Sequence, residues 1–255
     1  MPATDRSTIA ARVRSRRRLL LMVSAVLVWS GAVSAQEVGG IAITQLARAV
    51  VPTVVARPVQ FGLLEVTVAA GESLRYAVPE GMVFQVSGAQ VAAWDGGSVT
   101  LAAGEGAHLV AGSEVTFQTV SEEDAVFLHF VLAPVGEVAE LSAVVAENAI
   151  TVYRSVVPLP GLEVGAYTFD LTLLEFGARY PVNDPHYRSG GALYYVLSGA
   201  GVFTAEGVSQ RLTAGSAMLE PFGLVHRWAN PYDEAAMVVL ANISPEAEPA
   251  VVFVD

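Results

Sequence analysis

Gly215-Ser216-Ala217-Met218-Leu219-Glu220-Pro221-Phe222-Gly223-Leu224-Val225-His226-Arg227-Trp228-Ala229-Asn230 is the stretch that decides how this chain reads. Gly215 permits a tight turn ahead of a short strand, and Pro221 with Gly223 shapes a hairpin after it. The next strand then places His226, Trp228 and Asn230 on one face, because side chains along a strand alternate. In a small barrel one face is the lumen, so these three are expected to line a cavity.

Working outward, Pro185-His186-Tyr187-Arg188 lies upstream, followed by Ala192-Leu193-Tyr194-Tyr195-Val196-Leu197 and Ser198-Gly199. A short apolar, aromatic run closed by Ser-Gly predicts a strand entering a tight turn, with Ala192, Tyr194 and Val196 sharing the lumen. The pattern occurs twice. Phe84 to Ala89 returns as Tyr195 to Ala200, Leu101-Ala102-Ala103-Gly104 as Leu212-Thr213-Ala214-Gly215, and Pro134 as Pro245. From residue 84 to 134 the offset is constant at 111, and 13 of the 51 positions are identical. Earlier, Ala42-Ile43-Thr44 with Arg48 returns as Ala149-Ile150-Thr151 with Arg154, at an offset of 106 by Pro52 and Pro158. This predicts a duplication, with five extra residues of the second copy between Gly177 and Tyr195, before His186. Alternating segments such as Asp170-Leu171-Thr172-Leu173 read as half-buried strands, and six to eight short strands per copy fit a jelly roll.

Gly215, Pro221-Phe222-Gly223, His226 and Asn230 resemble the second cupin motif at every fixed position, and His186 to Gly199 is similar to the first. With the duplication, the resemblance is to the bicupins and spans nearly all of the chain after residue 35. It implies an all-β fold of two tandem jelly-roll barrels: residues 36–135 a degenerate barrel, 136–148 a linker, 149–255 the barrel with the candidate site. It also implies a metal held by two His and a Glu from the first motif and one His from the second. His186 matches the first His and His226 the last, but Arg188 stands at the second His and Ala192 at the Glu. His186 and His226 are thus the metal-ligating candidates, for one divalent transition metal (Zn, Mn, Fe or Ni). Tyr194, Glu175 and Glu220 are the substitutes to hand. Two imidazoles bind transition metals, but a typical site takes three protein ligands, and a guanidinium at Arg188 would repel the cation.

The same residues support other readings. Arg188, Tyr194, Trp228 and Asn230 would form a ligand-binding pocket with a cation, hydrogen-bonding groups and aromatic walls, suited to a small polar or anionic molecule. Or His226 is a satisfied core histidine of a vestigial site. Three functions follow: an exported, non-catalytic small-molecule binder; a metal-dependent enzyme of dioxygenase, isomerase or decarboxylase type; a structural or interaction protein. The first copy is emptier, with Val115 at the place of His226, Val110 at Pro221 and Thr119 at Asn230. His108 and His129 match no ligand position, so this copy is expected to be a scaffold or an interface half.

The 255 residues are 53% hydrophobic and 15% charged, enough for a large core. All cations are Arg, and six of the 14 fall in the first 18 residues. Arg12 to Arg18, the apolar run Leu19 to Val33 and the small residues Val33-Ser34-Ala35 predict a cleaved signal peptide over 1–35. Ser15-Arg16-Arg17 leaves the Sec and twin-arginine routes both open, and the expected location is periplasmic or secreted. Beyond residue 35, eight Arg face 24 Asp and Glu, a charge of −16 that repels nucleic acid and anionic lipid. No membrane contact is expected after cleavage, and a homodimer stays open. With no cysteine, stability rests on packing rather than disulfides.

Overall fold

The computed structural model describes residues 34–54 and 57–254; the expected leader lies outside them but for Ser34 and Ala35. The first half carries β1 (Ser34–Val38), β2 (Ile41–Val54), β3 (Val59–Val68), β4 (Ser73–Ala77), β5 (Glu80–Ser87), β6 (Ala89–Trp94), β7 (Gly97–Ala102), β8 (Gly106–Leu109), β9 (Glu114–Thr119) and β10 (Ala125–Pro134). Helix α1 (Glu137–Val144) follows. The second half carries β11 (Ala149–Arg154), β12 (Gly165–Phe176), β13 (His186–Arg188), β14 (Gly191–Ser198), β15 (Ala200–Ala205), β16 (Val208–Thr213), β17 (Ala217–Glu220), β18 (His226–Ala229), β19 (Ala236–Pro245) and β20 (Val251–Phe253).

The strands form two jelly-roll barrels of two antiparallel sheets each. The first pairs the sheet β11-β3-β10-β5-β8 with β4-β9-β6-β7; the second pairs β1-β2-β12-β19-β14-β17 with β16-β15-β18-β13-β20. The chain division at 135 and 149 is therefore not a division of the sheets. Strand β2, from the first half, lies along β12 in the second barrel, and β11, from the second half, lies along β3 in the first. These are the segments that repeat as Ala42 to Arg48 and Ala149 to Arg154, so each copy lends its first strand to the other. Without the exchange, β12 and β3 would be long edges with unpaired amides.

Long strands such as β10 and β19 are buried on both faces, which explains apolar runs interrupted only by His129 in the first and by Asn242 and Ser244 in the second. One face of β10, with Leu128, Phe130 and Leu132, packs on Phe169, Leu171, Val239, Ala241 and Ile243 in a core between the barrels. The other faces fill the two lumens. In the first lumen Tyr76, Phe117 and Phe127 stack at centroid separations of 5.2 and 4.8 Å. Helix α1, in the expected linker, adds Val138 and Leu141 to that lumen. Each fully buried side chain of this kind is worth about 1.5–3 kcal/mol.

The register also relocates the insertion. Pro134 lies opposite Val59, and Pro245 opposite Tyr167. With the prolines equivalent, β3 and β12 correspond at an offset of 108, from Val59 to Tyr167. Tyr76 lies opposite Val115 as His186 lies opposite His226, an offset of 110, so two of the five extra residues fall between β11 and β12, two between β12 and His186, and one between β13 and β14. The sequence placed all five between Gly177 and Tyr195 because matching identical residues carries no strand register.

Candidate functional site

Three short strands build the site in the second lumen. Pro185 ends the loop before β13, and alternation along β13 turns His186 and Arg188 inward, both buried, with Tyr187 half-buried between them. Gly215 and Gly223 adopt the left-handed conformation, with φ of 84° and 73°, at the turns flanking β17. That brings Glu220 to the inner face, and β18 follows with His226 and Trp228 inward and Arg227 outward. Strands β13 and β18 pair with His186 opposite His226, their ring centroids 4.3 Å apart.

Glu220, fully buried, is the centre of the polar cluster. Its Oε2 accepts from Arg188 Nε at 3.2 Å and its Oε1 from Trp228 Nε1 at 2.8 Å. His226 Nε2 also lies 2.8 Å from Oε1 but too far off axis for a hydrogen bond. Arg188 Nη2 donates to Tyr194 Oη. Burial opposes ionisation of Glu220, but the close His226 and the charge of Arg188, with the Trp228 bond, hold its carboxyl at about 2. Burial likewise works against the Arg188 charge, yet Tyr194 and Glu220 leave its guanidinium above the ordinary value. Burial raises the Tyr194 hydroxyl well above 10. His186 is lowered, first by burial and then by His226 and Arg188, against its bond to Asp184. The Nδ1 atoms of His186 and His226 lie 2.9 and 2.8 Å from the carbonyls of Asp184 and Leu224, so both rings turn Nε2 inward.

A cavity of about 660 Å³ opens beside this cluster. His186, Arg188, Tyr194 and Trp228 line it, as do Ile41 and Ile43 from the exchanged strand and Phe253 from β20. Two expected members do not. His226 sits behind His186, outside the lining. Asn230 is buried for another purpose: its Nδ2 donates to the carbonyls of Phe176, Gly177 and Glu234, and its Oδ1 accepts from the Tyr232 amide. Its hydrogen-bonding capacity is spent on fixing loops, so it corrects to a structural residue; strand alternation gives the face but not the partners.

Two lining residues escaped the sequence reading, Asp170 and Asn242. Asp170 read only as the polar side of an alternating strand, and Asn242 sits in an apolar run matching Val131 of the first copy. That mismatch was the available signal. Glu220 was legible only as a substitute metal ligand, and the structure gives it to Arg188 instead. A metal does not fit this donor set. Two imidazoles remain, the one near carboxylate is compensated by a guanidinium, and no group of three His, Cys, Asp or Glu is placed to hold an ion among the described residues.

The family described as Cupin domain matches residues 173–242, within the second barrel. Among solved structures, AerE from Microcystis aeruginosa superposes with a TM-score of 0.52 at 13% identity, covering 83% of this chain and 96% of that one. A Cupin 2 conserved barrel domain protein from Leptotrichia buccalis gives 0.43 at 15%, covering 78% and 89%. Oxalate decarboxylase from Bacillus subtilis gives 0.46 at 13%, covering 87% and 77%. At these identities the likeness is of fold. No curated protein matches the chain by sequence.

Proposed function

We propose that the second lumen, in the barrel that the Cupin domain family matches and that keeps a cavity, binds a small anionic or polar molecule without a metal. The observation that carries this reading is the state of Arg188. It is buried at the cavity wall, with Nε on Glu220 and Nη2 on Tyr194, and no protein acceptor among the described residues meets Nη1. A guanidinium held on two edges presents its third to the cavity, and a carboxylate matches its donors. Trp228, Leu240, Ile43 and Phe253 supply apolar wall around it. A signal peptide as read over residues 1–35 would direct export, which would make this a periplasmic or secreted binding protein.

Calorimetry with benzoate tests the reading. The comparison is wild type against Arg188→Met/Glu220→Leu, which removes the ion pair as a unit and leaves no lone buried charge. Binding to wild type that the double variant loses is expected; equal binding, or none to either, overturns the proposal. A metal-dependent enzyme is the second reading, favoured by the inward Nε2 atoms, which is how imidazoles present themselves to metals. Elemental analysis of untagged protein, with calorimetry of Zn²⁺, Mn²⁺, Fe²⁺ and Ni²⁺ on wild type and His226→Ala, decides between them. Stoichiometric metal lost in His226→Ala would promote the enzyme.

A further inference from the structure

The second lumen carries a polar row across its larger sheet. Arg48 lies opposite Asp170, Asp170 opposite Asn242, Asn242 opposite Ala192, and Ala192 opposite Glu220. The duplication provides the same row in the first barrel: Arg154, Gly62, Val131, Gly81 and Leu109. There every lumen position is glycine or apolar. A Cβ on Gly62 would lie 2.4 Å from Val138, so the side chain of α1 fills that space. Packing this sheet therefore requires no polar group in the row; the second barrel keeps three.

Of those three, Asn242 is without a partner. It is 3% exposed, it lines the cavity, and neither Nδ2 nor Oδ1 is hydrogen-bonded among the described residues. A buried amide left unmade is unfavourable, and native structures rarely keep one without a use. Neither neighbour in the row engages it. Ala192 on one side has no side chain beyond Cβ. On the other, Gln45 and Arg48 approach only Oδ1 of Asp170, at 2.8 and 3.7 Å. Asp170 and Thr172 line the cavity beside Asn242.

We infer that Asn242, with Asp170, is a second polar subsite, and that the ligand is a small carboxylate with an apolar body and a distal hydroxyl or carboxamide. This rests on the reading of Arg188 as the carboxylate anchor. Asn242 both donates and accepts, and Asp170 accepts, so together they match a group that does both. Glu220, which holds Arg188, is two strands from Asn242, about 9–10 Å across the sheet. The two anchors therefore address opposite ends of one molecule rather than a single group.

The test uses benzoate, 4-hydroxybenzoate and 4-carbamoylbenzoate in calorimetry on wild type and Asn242→Leu, a near-isosteric change, with thermal unfolding of both proteins. Wild type is expected to bind the two substituted acids at least about tenfold more tightly than benzoate. Asn242→Leu should bind all three alike, with benzoate affinity unchanged and a melting temperature equal to or above wild type. A drop in melting temperature would make Asn242 a structural residue and overturn the subsite. So would equal binding of the three acids by wild type, which leaves the Arg188 reading intact. Failure of all three to bind overturns both.

Discussion

At the scale of single residues, the second barrel holds a compensated charge where the cupin resemblance implies a cation. Arg188 stands where a ligand would, and Glu220, from the other motif, neutralises it. Glu220→Gln leaves the guanidinium buried without its counter-charge, and is expected to cost about 3–5 kcal/mol in urea unfolding. Arg188→Met/Glu220→Leu is expected to be no less stable than wild type, since a buried pair replaced together is often neutral. Groups whose folded values are depressed lose stability in acid, opposed by Asp170, whose carboxyl burial raises. Burial lowers His129 from 6.5 to about 3, so the unfolded chain takes up a proton first, and the stability His129 confers is full above pH 6.5 and is lost as the pH falls toward 3. His186, lowered chiefly by burial, acts in the same direction. Glu220 adds a second loss as the pH falls from 4.5 toward about 2. His129→Gln keeps a hydrogen-bonding group for Tyr76 and does not titrate, so its melting temperature should fall less than that of wild type between pH 6.5 and 4.5.

At the scale of elements, the exchange of β2 and β11 is the feature that makes the cavity. Ile41 and Ile43 of β2 form part of its wall, and Gln45 holds Asp170. Ala42 pairs with Glu175, both exposed. In a chain without cysteine, Ala42→Cys/Glu175→Cys should form an intramolecular disulfide on mild oxidation, read by mass, with retained monomer size. If β2 packed in its own half, no such bond would form. Helix α1 is the second decisive element. It adds Val138 and Leu141 to the first lumen, whereas β20 follows the matching strand in the second and leaves its lumen open.

At the scale of the whole molecule, the barrels share one core. Leu128, Phe130 and Leu132 of one sheet meet Phe169, Val239 and Ile243 of the other, all of them buried. Residues 149–255 alone lack β2 and bare that face, so they are expected to aggregate or to remain unfolded, as judged by circular dichroism and light scattering. The full chain should unfold in one calorimetric transition. Two separated transitions would show the barrels to be independent. No described helix is long and apolar enough to cross a membrane.

The sequence by itself determined the strand periodicity, the duplication, the two barrels, and the inward faces of β14 and β18, because alternation and turn chemistry are local and repeat visibly. It also picked out His186, Arg188, Tyr194 and Trp228 as cavity residues. What it could not decide was pairing between distant strands. The exchange of β2 with β11, the true place of the insertion, the capture of Glu220 by Arg188, the spending of Asn230 on loop carbonyls and the solitude of Asn242 all depend on which backbone lies opposite which. Register is a relation between segments far apart in the chain, and only the packed sheets fix it.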